Sequence, residues 1–360
     1  MGLIGVELEN VGTPYSRAPL LLGFLLAASL VYASASAALA GAASAGTLQA
    51  VQSRGYLLCG TTRSGPGLSE PDAAGHWRGF FPDFCRAIAA AIFNDQDAVS
   101  FVETERGNRF QALSDGAFDV LMANSSWTAE RDVTLGLNFT NVLFFDEQAF
   151  LVRSSSGASR LQDLGNTQIC AIENTTTIRR LRELAGSTSQ SIAIRAFASL
   201  DAAYDAFLAR SCDAITQDRS ILLAQLSIRA PDPTQFTLLD DRPAIEPLAP
   251  AVRSGDENWQ DVVRWTTNAP ILAAALGTDR ASAQRAMSNL NSQAFLYATQ
   301  AELAEKLGLP RDWAIRTIAA VGSYDEIFDR NLGNASGHGI TRGMNALWSQ
   351  GGLLVPLPMQ

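Results

Sequence analysis

The chain has 360 residues, which is enough for two domains of ordinary size. Apolar residues make up 47% of it and charged residues 18%, so a buried core can form. A net charge of −9 with no basic block argues against nucleic acid or an anionic membrane as a partner. Two histidines, His76 and His338, and four cysteines at no metal-ligand spacing argue against a metal site or a histidine-based catalytic triad.

The first 45 residues have the pattern of a secretory signal peptide. Arg17 precedes a mainly apolar stretch at 20–31, and small residues follow up to an A-x-A-like site at Ala45. The stretch is shorter than the roughly 20 residues that span a bilayer, which disfavours the alternative of a membrane anchor. We therefore expect export, cleavage near Ala45, and two disulfides among Cys59, Cys85, Cys170 and Cys212.

Strands and helices alternate through the first half of the exported chain. The hydrophobic patterns predict helices at 48–55, from Pro82 and at 108–114, and strands at 56–60, 99–102, 118–122 and 142–152. A loop rich in Gly, Pro and Ser separates the first strand from the second helix, at 61–75. This alternation is typical of parallel βαβ units and predicts an α/β fold.

A second βα series follows. It has predicted strands at 168–172, 191–197 and 212–216, and helices from Asn174, from Ser199 and from Asp218. An extended stretch at 246–253 would carry the chain back to the first half. Further helices are predicted at 259–276, with an interruption at Pro270, and at 281–289, 300–307, 310–321 and 341–349.

Polar side chains crowd the loop after the predicted strand at 118–122. Asn124 and Ser126 come first, and Arg131 follows within reach. Ligands of open α/β sheets bind outside the carboxyl ends of strands, and an arginine there can hold a carboxylate with two parallel hydrogen bonds. This stretch predicts a small-molecule carboxylate site. The alternative, equally favoured by the spacing, is a surface salt bridge of Arg131.

The second half supplies two complementary groups. Thr175 and Thr176 lie where a helix begins, and that end favours an anion. Asp218 starts another helix after a strand and could hold an ammonium group. The alternative for Asn174, Thr175 and Asp218 is plain N-capping. Together, these groups and Arg131 would bind the two charged ends of an α-amino acid.

The sequence resembles the periplasmic solute-binding proteins of polar amino-acid ABC transporters, in particular the general L-amino-acid binding subgroup, over about residues 47–358. The resemblance is carried by LLCG (57–60), WRGFFPDFCRAIAAAIF (77–93), RFQALSDGAFDVL (109–121), SSWTAERD (125–132), NTTT (174–177), AYDAFLARSCDAITQD (203–218), EPLAPAVR (246–253), VGSYDEIFDRN (321–331) and RGMNALWSQGG (342–352). It implies a two-lobed type II periplasmic-binding fold, each lobe a mostly parallel sheet flanked by helices. The implied limits are 46–150 for the first lobe, 151–246 for the second, and 247–360 for the return to the first lobe with a helical C-terminal extension.

The resemblance also implies roles for single residues. Arg131 corresponds to the arginine that grips the α-carboxylate, with Asn124 and Ser126 as contacts of the carboxylate and ammonium groups. Thr176, together with Thr175, corresponds to the second lobe's carboxylate contact, and Asp218 to the aspartate that holds the ammonium. The implied protein is a periplasmic monomer that needs no cofactor. It would capture free L-amino acids by hinge closure and deliver them to the membrane permease of an ABC transporter.

This chain departs from the family's pattern in the loop at 64–68, which lacks an aromatic that stacks on the ligand in some relatives. Trp127 or Phe80 could replace it, although an aromatic residue in either place more often belongs to the core. The family's Gly-Thr-Thr turn begins here with Asn174, and asparagine tolerates positive φ. On the implied fold, Cys59 would pair with Cys85 and Cys170 with Cys212.

An enzyme is the alternative function. Some proteins of this fold are exported dehydratases acting on arogenate- or prephenate-like acids, with a carboxylate as the general acid. Glu173, beside the threonine loop, and Glu130, beside Arg131, are the candidates for that role in this sequence.

Overall fold

The computed structural model describes residues 46–187, 191–288 and 301–359. The predicted signal peptide at 1–45 lies outside these residues, as do the end of the helix predicted at 281–289 and the first residue of the one at 300–307. No helix within the described ranges is long and apolar enough to cross a membrane.

The first lobe is built on a five-stranded sheet with the order β4-β1-β5-β13-β6. Its strands are β1 (Leu57–Thr61), β4 (Val99–Glu103), β5 (Val120–Leu121), β6 (Leu137–Phe139) and β13 (Ala251–Arg253). Strand β1 runs parallel to β4 and β5, whereas β13 is antiparallel to β5 and β6. The sequence-distant strand β13 therefore brings the chain back into the first lobe, as the extended stretch at 246–253 predicted. A short hairpin, β2 (Glu70–Pro71) and β3 (Trp77–Arg78), begins within the loop predicted at 61–75 and ends just after it.

The second lobe is built on a sheet with the order β11-β7-β10-β8-β9. Its strands are β7 (Phe144–Arg153), β8 (Thr167–Ile172), β9 (Ile192–Phe197), β10 (Ala214–Asp218) and β11 (Phe236–Leu238). Strand β8 is parallel to β9 and β10, and β7 is antiparallel to β10 and β11. The central strands of both sheets thus run parallel. The two segments that join the lobes are strands that pair with each other in antiparallel orientation. That pair is β7 and β12 (Ile245–Leu248).

Helices flank both sheets. In the first part of the chain they are α1 (Thr47–Arg54), α2 (Phe80–Phe93), α3 (Arg109–Ser114) and α4 (Ala129–Thr134). In the second lobe they are α5 (Thr176–Ser187), α6 (Leu200–Leu208) and α7 (Arg219–Arg229). Those that follow β13 are α8 (Glu257–Ala275), α9 (Arg280–Ser288), α10 (Ala301–Leu307), α11 (Trp313–Val321) and α12 (Tyr324–Asn331). Helix α11 packs on α2 and α8, so the C-terminal helices thicken the core of the first lobe.

Two predictions for the C-terminal region were wrong. Helix α8 continues through Pro270, because Trp259, Val263 and Ile271 on the same helix are buried in the core and hold both sides of the proline. The predicted final helix at 341–349 is instead a pair of 3₁₀ turns, Gly343–Asn345 and Trp348–Gln350.

Two helix starts near the C-terminus also differ from the predictions. Helix α11 starts at Trp313, after Pro310 rather than at it. Helix α12 was not predicted as a helix, although Ser323 and Glu326 form a capping box at its start.

Disulfides link the same cysteines that the resemblance paired. Cys59 on β1 is joined to Cys85 on α2, with Cα atoms 6.2 Å apart, and Cys170 on β8 is joined to Cys212 before β10, with Cα atoms 5.8 Å apart. Each bridge lies within one lobe and ties a central strand to its neighbour, so neither restricts movement of one lobe against the other.

Candidate ligand-binding site

The predicted site residues from both halves of the chain meet between the two lobes. Asn124 Nδ2 donates a hydrogen bond of 2.9 Å to Asp218 Oδ2, which joins the loop after β5 to the end of β10. The hydroxyls of Ser126 and Thr176 lie 3.4 Å apart across the same cleft. The carboxyl ends of β5, β8 and β10 therefore supply one site, as expected for open α/β sheets.

Asn124 is held in one orientation by the first lobe. Its Oδ1 accepts hydrogen bonds from Thr62 Oγ1 at 3.2 Å and from Ser64 Oγ at 2.9 Å, so its Nδ2 is directed at the second lobe. Neither Thr62 nor Ser64 was among the residues predicted from the sequence. Both are fully or almost fully buried at the end of β1, where small hydroxyl side chains are compatible with a packed cleft.

Arg131 is buried, with 5% of its surface exposed. The Thr128 hydroxyl caps α4 by accepting a hydrogen bond from the Arg131 backbone N–H, and Arg131 Nη1 turns back to donate to Ser126 O at 2.8 Å. Its Cζ lies 4.7 Å from the centroid of the Phe110 ring. Among the residues that the structure describes, no carboxylate lies within 4.0 Å of Arg131, so the alternative of a surface salt bridge is wrong.

The two threonines that open α5 have different environments. Thr175 is the capping residue, because its Oγ1 accepts from the Ile178 N–H at 3.2 Å and donates to Ile172 O at 2.7 Å. Its hydroxyl is thus occupied within the loop, which favours the capping alternative. Thr176 faces the cleft and donates to Glu246 Oε2 at 3.1 Å. Asn174 has a φ of 57°, so this turn does use the left-handed conformation that asparagine tolerates.

Asp218 does not cap α7 with its side chain. Its carboxylate is buried and accepts the bond from Asn124 instead. Burial raises its pKa above the ordinary value, while the positive charge of Arg106, the Asn124 hydrogen bond, Arg109 and Arg131 act in the opposite direction. The arrangement is that of an anionic group kept available inside a closed cleft.

Two further buried carboxylates lie on the strands that join the lobes. Asp146 on β7 stands directly opposite Glu246 on β12. Burial and the nearby charge of Asp218 raise the pKa of Asp146 to about 7. Burial and the charge of Asp218 also raise the pKa of Glu246. The hydrogen bonds of Glu246 with Ser126 and Thr176, and the charge of Arg131, act in the opposite direction. Neither acid was predicted. The available signal was a charged residue within a stretch that otherwise reads as a buried strand.

Two further buried arginines lie on the first lobe. Arg109 opens α3, donates from Nε to Ser125 Oγ at 2.9 Å, and has its Cζ 4.4 Å from the Phe110 ring centroid. Burial lowers its pKa well below the usual value, and Arg131 and Arg106 add to this effect. Arg106 precedes the same helix. Positive charge at a helix N-terminus is unfavourable. Two arginines in this position are the feature of the sequence by which both residues could have been recognised.

The aromatic residues suggested for ligand stacking lie elsewhere. Phe80 is fully buried among the rings of Phe81, Phe84, Phe144 and Tyr324, at centroid distances of 5.2–5.6 Å, so its assignment as a ligand contact was wrong and its core alternative holds. The Trp127 ring is 39% exposed and stacks on Phe139 at 6.2 Å. It lines a separate cavity with residues of the C-terminal segment at 353–357.

The site therefore has a cationic half and an anionic half. Buried arginines project from the first lobe, and buried carboxylates lie on the second lobe and the joining strands. Such a pair of surfaces complements a small zwitterion that carries both a carboxylate and an ammonium group. Two sheet-based lobes, two joining strands and a polar cleft between them define a two-lobed solute-binding protein.

The chain belongs to the family of bacterial extracellular solute-binding proteins, family 3, whose pattern matches residues 57–334. It is 37% identical over 344 residues to the general L-amino acid-binding periplasmic protein AapJ of Rhizobium johnstonii, covering 94% of this chain and 99% of that protein. It is 36% identical over 340 residues to the glutamate/glutamine/aspartate/asparagine-binding protein BztA of Rhodobacter capsulatus, covering 94% and 98%.

A solved structure has the same fold over its entire length. The ABC transporter/periplasmic binding protein of Brucella ovis with glutathione bound superposes with a TM-score of 0.83 at 35% identity, covering 88% of this chain and 100% of that chain. The similarity confirms the two-lobed fold that the sequence predicted, including the C-terminal helices beyond the second joining strand.

Proposed function

We propose that this protein binds free L-α-amino acids in the cleft between its lobes and delivers them to the membrane permease of an ABC transporter. The observation that supports this most strongly is the convergence of Arg131, Asn124 and Asp218 from opposite sides of one buried cleft. A buried arginine and a buried aspartate facing one cleft match the two charges that every α-amino acid carries.

In this proposal Arg131 binds the α-carboxylate. Its Nη1 is already directed by Ser126 O, so the guanidinium does not need to be ordered when the ligand arrives. The hydroxyls of Ser126 and Thr176, one from each lobe, are close enough to contact the same carboxylate. Thr175 supports the contact indirectly by fixing the start of α5.

Asp218 binds the α-ammonium group, with Asn124 beside it. Among the described residues, no arginine or lysine nitrogen lies within 4.0 Å of Asp218. The ammonium group of the ligand would supply the cationic partner that this carboxylate lacks. A buried carboxylate without a cation is costly, and a bound ammonium group removes much of that cost. Selection for an amine follows directly.

Capture by hinge closure fits the position of these groups. Residues that would hold one ligand are divided between two lobes that β7 and β12 join, so the complete set exists when the lobes meet. An exposed ion pair between Glu130 on α4 and Arg179 on α5 also spans the cleft. Ligand binding would shift the population toward this closed arrangement, and the permease would recognise it.

Export to the periplasm and action as a monomer complete the proposal. Relatives named as periplasmic amino acid-binding proteins, together with the leader pattern ending at Ala45, support the location. The dehydratase alternative lacks comparable support, because Glu173 is exposed and Glu130 is paired with Arg179. Neither carboxyl is placed as a buried acid beside the site.

Calorimetric titration of residues 46–360 with the twenty amino acids tests the proposal. We expect several L-amino acids to bind with dissociation constants in the micromolar range or below, and their D-enantiomers to bind far more weakly. Prephenate serves as the comparison ligand for the enzyme alternative, with product formation assayed in parallel. Absence of binding by every amino acid, or turnover of prephenate that Glu173→Gln abolishes, would contradict the proposal.

A further inference from the structure

A second cavity adjoins the amino-acid site. It has a volume of about 300 Å³ and is lined by both lobes, with Thr62, Arg106 and Glu103 on one side and Asp201, Gln225 and Arg229 on the other. Thr62 is also a hydrogen-bond donor to Asn124 in the amino-acid site. The cavity is therefore positioned to receive whatever the ligand carries beyond its α-carbon.

Arg106 is the buried cation of this cavity. It is 5% exposed, and its Nη2 donates to Arg63 O and Ser64 Oγ, both at 3.2 Å. Its Nε is buried and has no hydrogen-bond partner. Within the described parts of the chain, no carboxylate lies within 4.0 Å of its guanidinium. A buried charge without a nearby carboxylate is costly, and an anionic group of a ligand would offset that cost.

The other arginines of the cavity are already neutralised. Arg63 binds Glu103 through two hydrogen bonds of 2.6 and 3.0 Å, and Arg229 forms ion pairs with Asp201 and with Asp205. These pairs lie toward solvent, where such interactions contribute little. Arg106 thus differs from its neighbours in both burial and charge balance.

A chain of hydrogen bonds connects Arg106 to the proposed ammonium site. Arg106 donates to Ser64, Ser64 donates to Asn124 at 2.9 Å, and Asn124 donates to Asp218 at 2.9 Å. Two side chains, those of Ser64 and Asn124, therefore lie between the guanidinium of Arg106 and the carboxylate of Asp218. A ligand whose ammonium group is on Asp218 would therefore have its side chain directed toward the cavity that Arg106 lines.

We propose that Arg106 recognises a side-chain carboxylate, so that the preferred ligands are acidic amino acids. This inference rests on the proposed function, because it takes the α-amino and α-carboxylate groups to be held by Asp218 and Arg131. The remaining acids of the cavity, Glu70 and Glu105, would instead favour a basic side chain, and that preference is the competing outcome of the test.

The test compares glutamate with glutamine, which differ only in the charge of the side chain. Wild-type protein should bind glutamate more tightly, and Arg106→Gln should reduce the glutamate-to-glutamine preference by at least tenfold. Arg63→Gln is the matched control, because it removes an arginine of the same cavity that Glu103 already neutralises; its preference should change less than threefold. Arg106→Lys, which keeps the charge, should retain part of the preference.

Each outcome decides the inference. An unchanged preference in Arg106→Gln, equal losses in Arg63→Gln, or wild-type preference for arginine and lysine overturns the role of Arg106 but leaves the amino-acid site intact. Failure of wild-type protein to bind any amino acid overturns the proposed function itself. If Arg106→Gln does not fold, the affinities of the wild-type protein for glutamate and glutamine test the inference. Equal affinities for these two ligands would contradict it.

Discussion

Replacing Asp218 with asparagine should have opposite effects on binding and on stability. The substitution keeps the shape of the side chain and removes its charge. A hydrogen bond to a charged group contributes about 1.5–3 kcal/mol, so loss of the ligand's ammonium contact should raise the dissociation constant about 10- to 150-fold. This loss should be similar for every amino acid that binds, because all of them carry the ammonium group.

The free protein should become more stable in the same variant. Burial raises the pKa of Asp218, and among the described residues no cationic nitrogen lies within 4.0 Å of it, so the ionised carboxylate destabilises the folded state at neutral pH. Removing the charge should raise the free energy of unfolding by about 1–2 kcal/mol and the Tm by about 2–4 °C. Since the folded-state pKa is the higher one, this gain should shrink as the pH falls toward 4.

The assays are calorimetric titration for affinity and thermal unfolding at pH 5 and pH 8 for stability. Asp240→Asn is the control, because it removes an exposed carboxylate of the same lobe. It should alter neither quantity appreciably. A lower Tm for Asp218→Asn with unchanged affinity would show instead that Asp218 is a structural acid satisfied within the protein.

Three further predictions follow from the charges and links around the site. Because the pKa of Asp146 is raised to about 7, the free energy of unfolding of the wild-type protein should decline as the pH rises from about 4 to 7. Asp146→Asn should remove this decline, so the variant should be more stable than wild type by on the order of 2–4 kcal/mol at pH 8 in chemical denaturation. Glu130→Gln should weaken ligand binding only about 1.5- to 5-fold, because its pair with Arg179 is half exposed, and the difference should disappear at 1 M NaCl in titrations. Replacing Cys170 and Cys212 together by alanine should lower the free energy of unfolding by about 2–4 kcal/mol and leave affinity within about twofold.

Each of these has a result that would count against it. A pH-independent stability difference for Asp146→Asn would place the pKa of Asp146 outside the range of the titration. A loss of more than tenfold for Glu130→Gln would mean that the pair contacts the ligand rather than spanning the cleft edge. A large loss of affinity in the double cysteine variant would mean that the disulfide helps to shape the site.

The strands that flank the cleft and the polar loops that follow them could be predicted because local patterns determine them. Polar residues directly after apolar strands made Asn124, Arg131, Thr176 and Asp218 candidates, and parallel strands place such loops at one edge. The positive φ of Asn174 followed from its residue type. These features depend on chain neighbours, which a single sequence displays.

Features that depend on distant neighbours could not be predicted in the same way. Arg106 and Glu246 face the cleft because the two lobes meet there, and the local sequence signal of each does not show what the side chain faces. Phe80 was offered as a possible ligand contact although a core position was favoured, and its four aromatic neighbours place it in the core. Pro270 remains within a helix because the surrounding core outweighs its local cost.

The most direct test of the account is titration of Arg131→Ala with every amino acid that the wild-type protein binds. Arg131 is proposed to hold the α-carboxylate, a group common to all of them, and its buried guanidinium has no acidic partner within 4.0 Å in the described chain. Binding of all these ligands should be lost together, while the protein remains folded by circular dichroism. Loss of some ligands with retention of others would contradict it, because Arg131 would then select side chains rather than bind the amino-acid backbone.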